Sequence, residues 1–470
     1  MANNCRVPTP PKYVEELLDC VGYVHDLYHK SVLENSCGAG NILKEIVRRY
    51  IENAIQEGFH KDKIIEGLQE RITGYDVDPE CVKNCIDNLD RIALEYGLTG
   101  IEWNVRKQDY LKCGGAQYQY IIGNPPYITY HDLNVEQRGF LKEHFESCGQ
   151  GRFDYCYAFI EAALKDLAED GKLAYILPYS ILRNKFAEKI REIIKVDLEK
   201  LIDFKGIQIF PNTVTSSVII LCDKQKRDRI TYYNKQENYD KIIRKNSLKG
   251  KWIFEEKPVG HRRFGDFFKV ANSVATLCNE VYVFEADKLE DGFYCVGDGK
   301  IEKDIVFDAA SVKSEKKYNK AQKKRDKIIF PYRIHDKGIT HYEENELKTE
   351  FPECYSHLIK YKEKLLNRKS SENIKWFEYG RSQAINDIIG SKLIMSMVVT
   401  NKVVVYEVSD YAIPYAGTYI KVHPDNGMSL KEAKQILESD RFFTYIKNCG
   451  TPTTTSSFRI SVKDIEEYYF

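Results

Sequence analysis

The chain has 470 residues, 43% of them hydrophobic and 30% charged, with 70 Lys and Arg against 70 Asp and Glu. That length fits two or three domains, and the composition excludes global disorder. A formal net charge of zero excludes a non-specific polycation, yet nucleic acid stays open because a cleft needs only local positive charge.

The predicted elements alternate through the first half. SVLENS (31–36) reads as a strand and NILKEIVRRYIENAI (41–55) as an amphipathic helix. RITGYDV (71–77) is a second strand, followed by a helix from Pro79. IEWNVRKQD (101–109) and YQYIIGN (118–124) are the third and fourth strands. YAFIEAALKDLA (157–168) is helical, KLAYILP (172–178) a strand, FAEKIREII (186–194) a helix and VTSSVIILC (214–222) an apolar strand. This alternation predicts an α/β class with a doubly wound, mostly parallel sheet, on which ligands sit at the carboxyl ends of strands. After residue 225 the chain turns polar and basic, and 226–264 reads as a linker. From 265 to 470 short β-rich runs predict a second, mixed domain, which holds a lysine-dense stretch, KSEKKYNKAQKKRDK (313–327). That stretch suits either a solvated surface or a phosphate-contacting loop.

The 13 Cys, odd in number and without a CxxC pair, read as reduced thiols and not as a disulfide framework or zinc site. His335 and His341 form no metal pattern, so no metal is expected. The first residues lack an apolar core and no run of about 18 apolar residues exists, so neither a signal peptide nor a membrane span is expected.

Chemistry concentrates in IIGNPPYITY (121–130). Two prolines directly after an apolar strand end the ladder and hold the backbone in a rigid turn at a carboxyl end. A carboxamide oxygen from Asn124 and the main-chain carbonyl of Pro125 suit an exocyclic amine such as adenine N6, whose lone pair is delocalised into its ring. Pro126 stiffens the turn, and Tyr127 offers a flat face to an extruded base. The plainer reading is a surface turn with a helix cap. Upstream, LENSCGAGNIL (33–43) reads strand, tight turn, helix, and Gly38 and Gly40 let the backbone approach a ligand closely. Asp76 ends the second strand and can accept from two ribose hydroxyls. Asp109 ends the third and can accept from an adenine amino group, with Tyr110 stacking beside it. Each acid alone fits a helix N-cap equally well.

In this order the motifs resemble the γ-class N6-adenine DNA methyltransferases, in particular the TaqI-like group. The resemblance is strong over the first ~225 residues and weak beyond. It assigns Thr9, in Val7-Pro8-Thr9-Pro10-Pro11, to the methionine part of S-adenosylmethionine. It adds Glu34 and Ser36 to Gly38, Gly40, Asp76, Asp109 and Tyr110 as cofactor residues, and places Phe210, in IFPNTVTSSVIIL (209–221), against a flipped adenine. Asn35 stands where proline is common and Ala39 where serine is frequent. The 36-residue step from Gly40 to Asp76 exceeds the ~20 of a simple nucleotide-binding unit, which predicts an extra helix at KDKIIEGLQE.

The resemblance implies a monomeric, cytoplasmic enzyme on double-stranded DNA, the modification half of a restriction–modification system. With few residues before Thr9 and no PD…(D/E)xK pattern after it, a cognate endonuclease is expected on a separate polypeptide. The alternatives are a methyltransferase for RNA adenine or protein glutamine, since an amide poses the same problem as an aryl amine, and a non-catalytic DNA-binding protein on the same fold.

Overall fold

The computed structural model describes residues 7–210, 216–254, 260–285, 289–297, 299–321, 325–335, 338–381, 384–424, 427–453 and 456–470. The chain divides into two compact units, one of residues 1–254 with 451–455 and one of 255–450 with 456–470.

The first unit is built on a nine-stranded sheet ordered β3-β2-β1-β4-β5-β7-β6-β8-β9. Its strands are β1 (Val32–Glu34), β2 (Ile72–Asp76), β3 (Asn104–Lys107), β4 (Tyr118–Gly123), β5 (Leu167–Pro178), β6 (Leu198–Asp203), β7 (Ser217–Asp223), β8 (Arg229–Asn234) and β9 (Tyr239–Arg244). β3, β2, β1, β4 and β5 run parallel. β7 lies antiparallel between β5 and β6, and β9 antiparallel at the edge. The helices are α1 (Pro11–Val21), α2 (Asn41–Gln56), α3 (Lys61–Arg71), α4 (Pro79–Glu95), α5 (Val135–His144), α6 (Cys156–Lys165) and α7 (Glu188–Asp197).

Alternation along the strands makes two cores. Ile121, Leu173, Tyr175 and Leu177 pack with α6 and α7 on one face. Ile122, Ala174 and Ile176 pack with α1, α2, α3 and α4 on the other. A strand whose successive side chains enter opposite cores must be apolar at nearly every position. That is why β4, β5 and β7 stand out in the sequence. Because β1 pairs with both β2 and β4, the strand order reverses there, and the carboxyl ends of β1 and β4 flank a crevice.

One expectation needs correction. It is the linker at 226–264, which instead holds β8 and β9 and a tail that returns to the sheet. Ile230, Tyr232, Leu248, Trp252 and Phe254 join the first unit's core, and Phe254 stacks on Tyr232 at 4.3 Å between centroids. Buried Arg191 ties that tail down, donating to the carbonyls of Gly250, Ile181 and Asn184 at 2.7, 2.7 and 2.8 Å. The polar composition misled because β9 is an exposed edge strand, where charge guards against pairing with other chains. One strand, β6, has no counterpart among the expected elements, since the charged Glu199 and Lys200 interrupt its apolar run. The extra helix between Gly40 and Asp76 is present as α3.

The second unit is mixed and β-rich, as expected. Phe268–Asn272 pairs with Thr418–Val422, which pairs with Lys392–Met395 and through it with Val405–Val408. A further sheet joins Val283–Phe284, Lys327–Ile329, Val306–Ala310 and Ile413–Pro414. The end of the chain returns to the start of this unit: the Phe264 N–H donates to the Tyr468 carbonyl at 2.7 Å, and Phe264, Ile465 and Tyr468 share a core. The lysine-dense stretch holds a helix, Val312–Ala321. Several of its cations meet acids: Lys317 pairs with Glu285, Arg325 with Glu315 at 3.1 Å and Lys327 with Asp308 at 2.6 Å. Residues 322–324 lie outside the described residues. Among the described residues no helix is long and apolar enough to cross a membrane, and no cluster of His, Cys, Asp or Glu could hold a metal ion.

Candidate active site

A cavity of about 430 Å³ opens at the carboxyl ends of β1, β2 and β4, within the range of small-molecule sites. Thr9, Glu34, Ser36, Gly38, Asp76, Tyr110, Asn124, Pro125, Pro126, Tyr127 and Phe210 all line it. Residues spread over 200 positions converge because parallel strands end on one side of a sheet.

The glycine loop is braced from below. Buried Glu34 accepts from the Leu43 N–H at 3.0 Å, so one carboxylate oxygen serves the first turn of α2. Burial pushes its carboxyl well above the usual range. Asp76 accepts from the N–H of Gly38 at 3.0 Å and of Asp78 at 2.9 Å, joining the loop to the end of β2. Gly38 has φ +53° and open space where a side chain would project. Gly40 is a glycine for a different reason. At φ +80° an added Cβ would lie 2.6 Å from the sulfur of Cys85, so it allows α4 to pack against the loop, and it does not line the cavity.

Asp109 does not line the cavity either. Its carboxylate accepts from the Leu111 N–H at 3.3 Å and caps the short turn Tyr110–Lys112, the cap that the sequence left open. Its neighbours Gln108 and Tyr110 do line the cavity. Tyr110 is buried, its hydroxyl donating to Asp166 at 3.0 Å, and burial holds that hydroxyl well above its usual pKa.

Asn124 follows β4 directly. Its Nδ2 donates to Thr9 Oγ1 at 3.3 Å and to the Val7 carbonyl at 3.5 Å, while its Oδ1 is buried without a partner. A buried acceptor left unpaired costs about 1–3 kcal/mol, so the site carries an acceptor that awaits a donor. The Tyr127 hydroxyl donates to the Ile176 carbonyl at 2.7 Å, which anchors the ring's far end to β5. Phe210 is 3% exposed at the cavity wall, and residues 211–215 of its motif lie outside the described residues.

Sequence reasoning missed Asn35, Gln108, Leu133, Gln137, Tyr155 and Phe159, which also line the cavity. The aromatic density of RFDYCYAF (152–159) was a usable signal for the last two. A larger cavity, about 540 Å³, lies beside Lys112, Phe140 and Asp166, and shares only Tyr110 with the motifs.

Residues 43–210 match the family described as Eco57I restriction-modification methylase. Over these residues the chain is similar to that family. The Type II restriction enzyme and methyltransferase RM.Eco57I of Escherichia coli is 26% identical over 324 residues, 60% of this chain and 32% of that protein. The Type II methyltransferase M.BstVI of Geobacillus stearothermophilus is 25% identical, over 50% of this chain and 43% of that protein. The chain thus spans less than half the length of these two relatives. The Type IIL restriction-modification enzyme MmeI, solved in complex with DNA, shares the fold with a TM-score of 0.61 at 12% identity, covering 97% of this chain and 64% of that one. The methyl donor of such a methylase is S-adenosylmethionine. The site has room for that molecule: Gly38, with open space where a side chain would project, and Asp76 both line the one cavity.

Proposed function

We propose that the chain is a site-specific DNA adenine N6-methyltransferase, the modification component of a restriction–modification system. The observation that carries the reading is the unpaired, buried Oδ1 of Asn124, a residue that lines the cavity of the glycine loop. An adenine amino group is a weak nucleophile because its lone pair is shared with the ring. Two acceptors in the plane of the amine, Asn124 Oδ1 and the Pro125 carbonyl, would draw its hydrogens and return electron density to nitrogen as positive charge develops. Thr9 orients the Asn124 amide by accepting from its Nδ2. Tyr127 and Phe210 supply flat apolar walls for a base that has left the helix, as chemistry at N6 requires. Thr9, Gly38, Asp76 and Tyr110 hold the donor, whose sulfonium-bound methyl is the group transferred. We assign target recognition to residues 265–470, which carry no chemical motif of their own.

The test is single-molecule sequencing of DNA from cells expressing the chain. N6-methyladenine at one recurrent motif is the expected result. Unmodified DNA, or methylation confined to RNA or protein glutamine, would overturn the reading.

A further inference from the structure

Asn35, at the end of β1, is only 2% exposed. Its Nδ2 donates to the hydroxyl of Tyr175, a fully buried residue on β5, at 2.5 Å. β4 lies between β1 and β5, so this bond passes across the end of β4. The crossing point is Gly123, which pairs with Tyr175 in the sheet register. A Cβ there would stand 3.3 Å from the Tyr175 ring and 3.8 Å from Asn35 Oδ1, a crowded position that glycine leaves clear. The next residue is Asn124, and its main-chain carbonyl accepts from the hydroxyl of Ser36, the neighbour of Asn35, at 3.3 Å.

Stability alone does not explain this amide. A typical hydrogen bond contributes a net ~1 kcal/mol, whereas the unpaired, buried Oδ1 of Asn35 costs about 1–3 kcal/mol. The side chain also meets Tyr110, and what its bond to Tyr175 spans is the turn that begins at Asn124.

We infer that Asn35, through Tyr175, is a positioning residue for Asn124: the bond straps the end of β4 and so sets the direction of the Asn124 Oδ1. The inference rests on the reading of Asn124 as the amine acceptor. A group acting this way governs the transfer step and leaves donor affinity alone.

The test uses the full chain with Tyr175→Phe and Asn35→Ala. The first removes one oxygen and keeps the ring. Transfer from tritiated S-adenosylmethionine is measured on genomic DNA that lacks N6-methyladenine. The rate should fall roughly tenfold to a hundredfold in both, the scale of a small misplacement of a reacting group, with the KM for the donor unchanged in Tyr175→Phe, whose side chain does not line the cavity. In an Asn124→Ala background the same changes should add nothing, because coupled residues are not additive. Independently of activity, hydrogen exchange at the main-chain amides of Asn124 and of 127–130 should quicken in both variants while β7 keeps its protection. Unchanged rate and exchange, a raised donor KM in Tyr175→Phe, or a loss that adds fully to that of Asn124→Ala would each overturn the inference. A wild-type chain that labels no DNA would sink the functional reading instead, and the exchange result would still decide the strap.

Discussion

The two units have comparable secondary structure but concentrate their information differently. In the first, side chains from Thr9 to Phe210 meet at one cavity, and most of them belong to a motif visible in the sequence. In the second, a larger share of the fold is short strands, and its basic stretch meets acids at Lys317, Arg325 and Lys327. Chemistry needs particular groups at fixed strand ends, so it leaves ordered motifs. Under the proposed assignment the second unit reads base edges, which needs a few side chains on a surface that can vary and so leaves no ordered motif.

The comparison is broken most decisively by exchange. Replacing the second unit with that of a relative of different specificity should switch the methylated motif completely, read by sequencing the modified DNA. A hybrid that keeps the motif of its first unit would place base reading in the catalytic half. Next in size is Asn124→Ala, which removes one preorganised acceptor. Transfer should fall on the order of 10²–10³-fold, with donor affinity by calorimetry little changed. Near wild-type turnover would show that the NPPY turn is only a turn.

Smaller again is Asp76→Ala. It removes a charged acceptor and the brace on the Gly38 N–H, so donor binding should weaken by roughly 1–3 kcal/mol. Unaltered affinity in a folded variant would detach Asp76 from the cofactor. A last effect, on stability and not on activity, probes the second unit alone. Lys392 is fully buried, and burial lowers its ammonium from the usual 10.5 to about 8, while the carbonyls of Gly390, Ser409 and Asp410 accept from it at 2.8, 3.2 and 2.7 Å. A lysine with a depressed pKa binds fewer protons folded than unfolded between those two values. Its unfavourable contribution is full below pH 8 and fades as pH rises toward 10.5. The stability of Lys392→Met relative to wild type, from urea unfolding, should therefore fall over that window, by about 1.4 kcal/mol per pH unit at most. A difference that is flat in pH would mean the ammonium keeps its proton throughout.

Sequence reading served the site best where one local segment carries its own geometry. NPPY after an apolar strand, and glycines after β1, are local facts. It served worst where a residue's partner is distant. Gly40 and Asp109 sit in the right motifs, but one clears Cys85 and the other caps its own turn. Asn35 showed only as a departure from the family pattern, since its partner Tyr175 is 140 residues away. The edge strand β9 read as linker because its charge reflects exposure.

What the sequence determined by itself was the class of fold, the order of motifs and the group of enzymes they resemble, because strand–helix periodicity and strand-end chemistry are written in neighbouring residues. The tertiary structure alone decided which motif residues share the cavity and which only hold it up. It also decided where the first unit ends and that Asn124 keeps an unpaired oxygen inside. Those depend on which strands lie side by side, and strand order joins residues by contact, regardless of their distance along the chain.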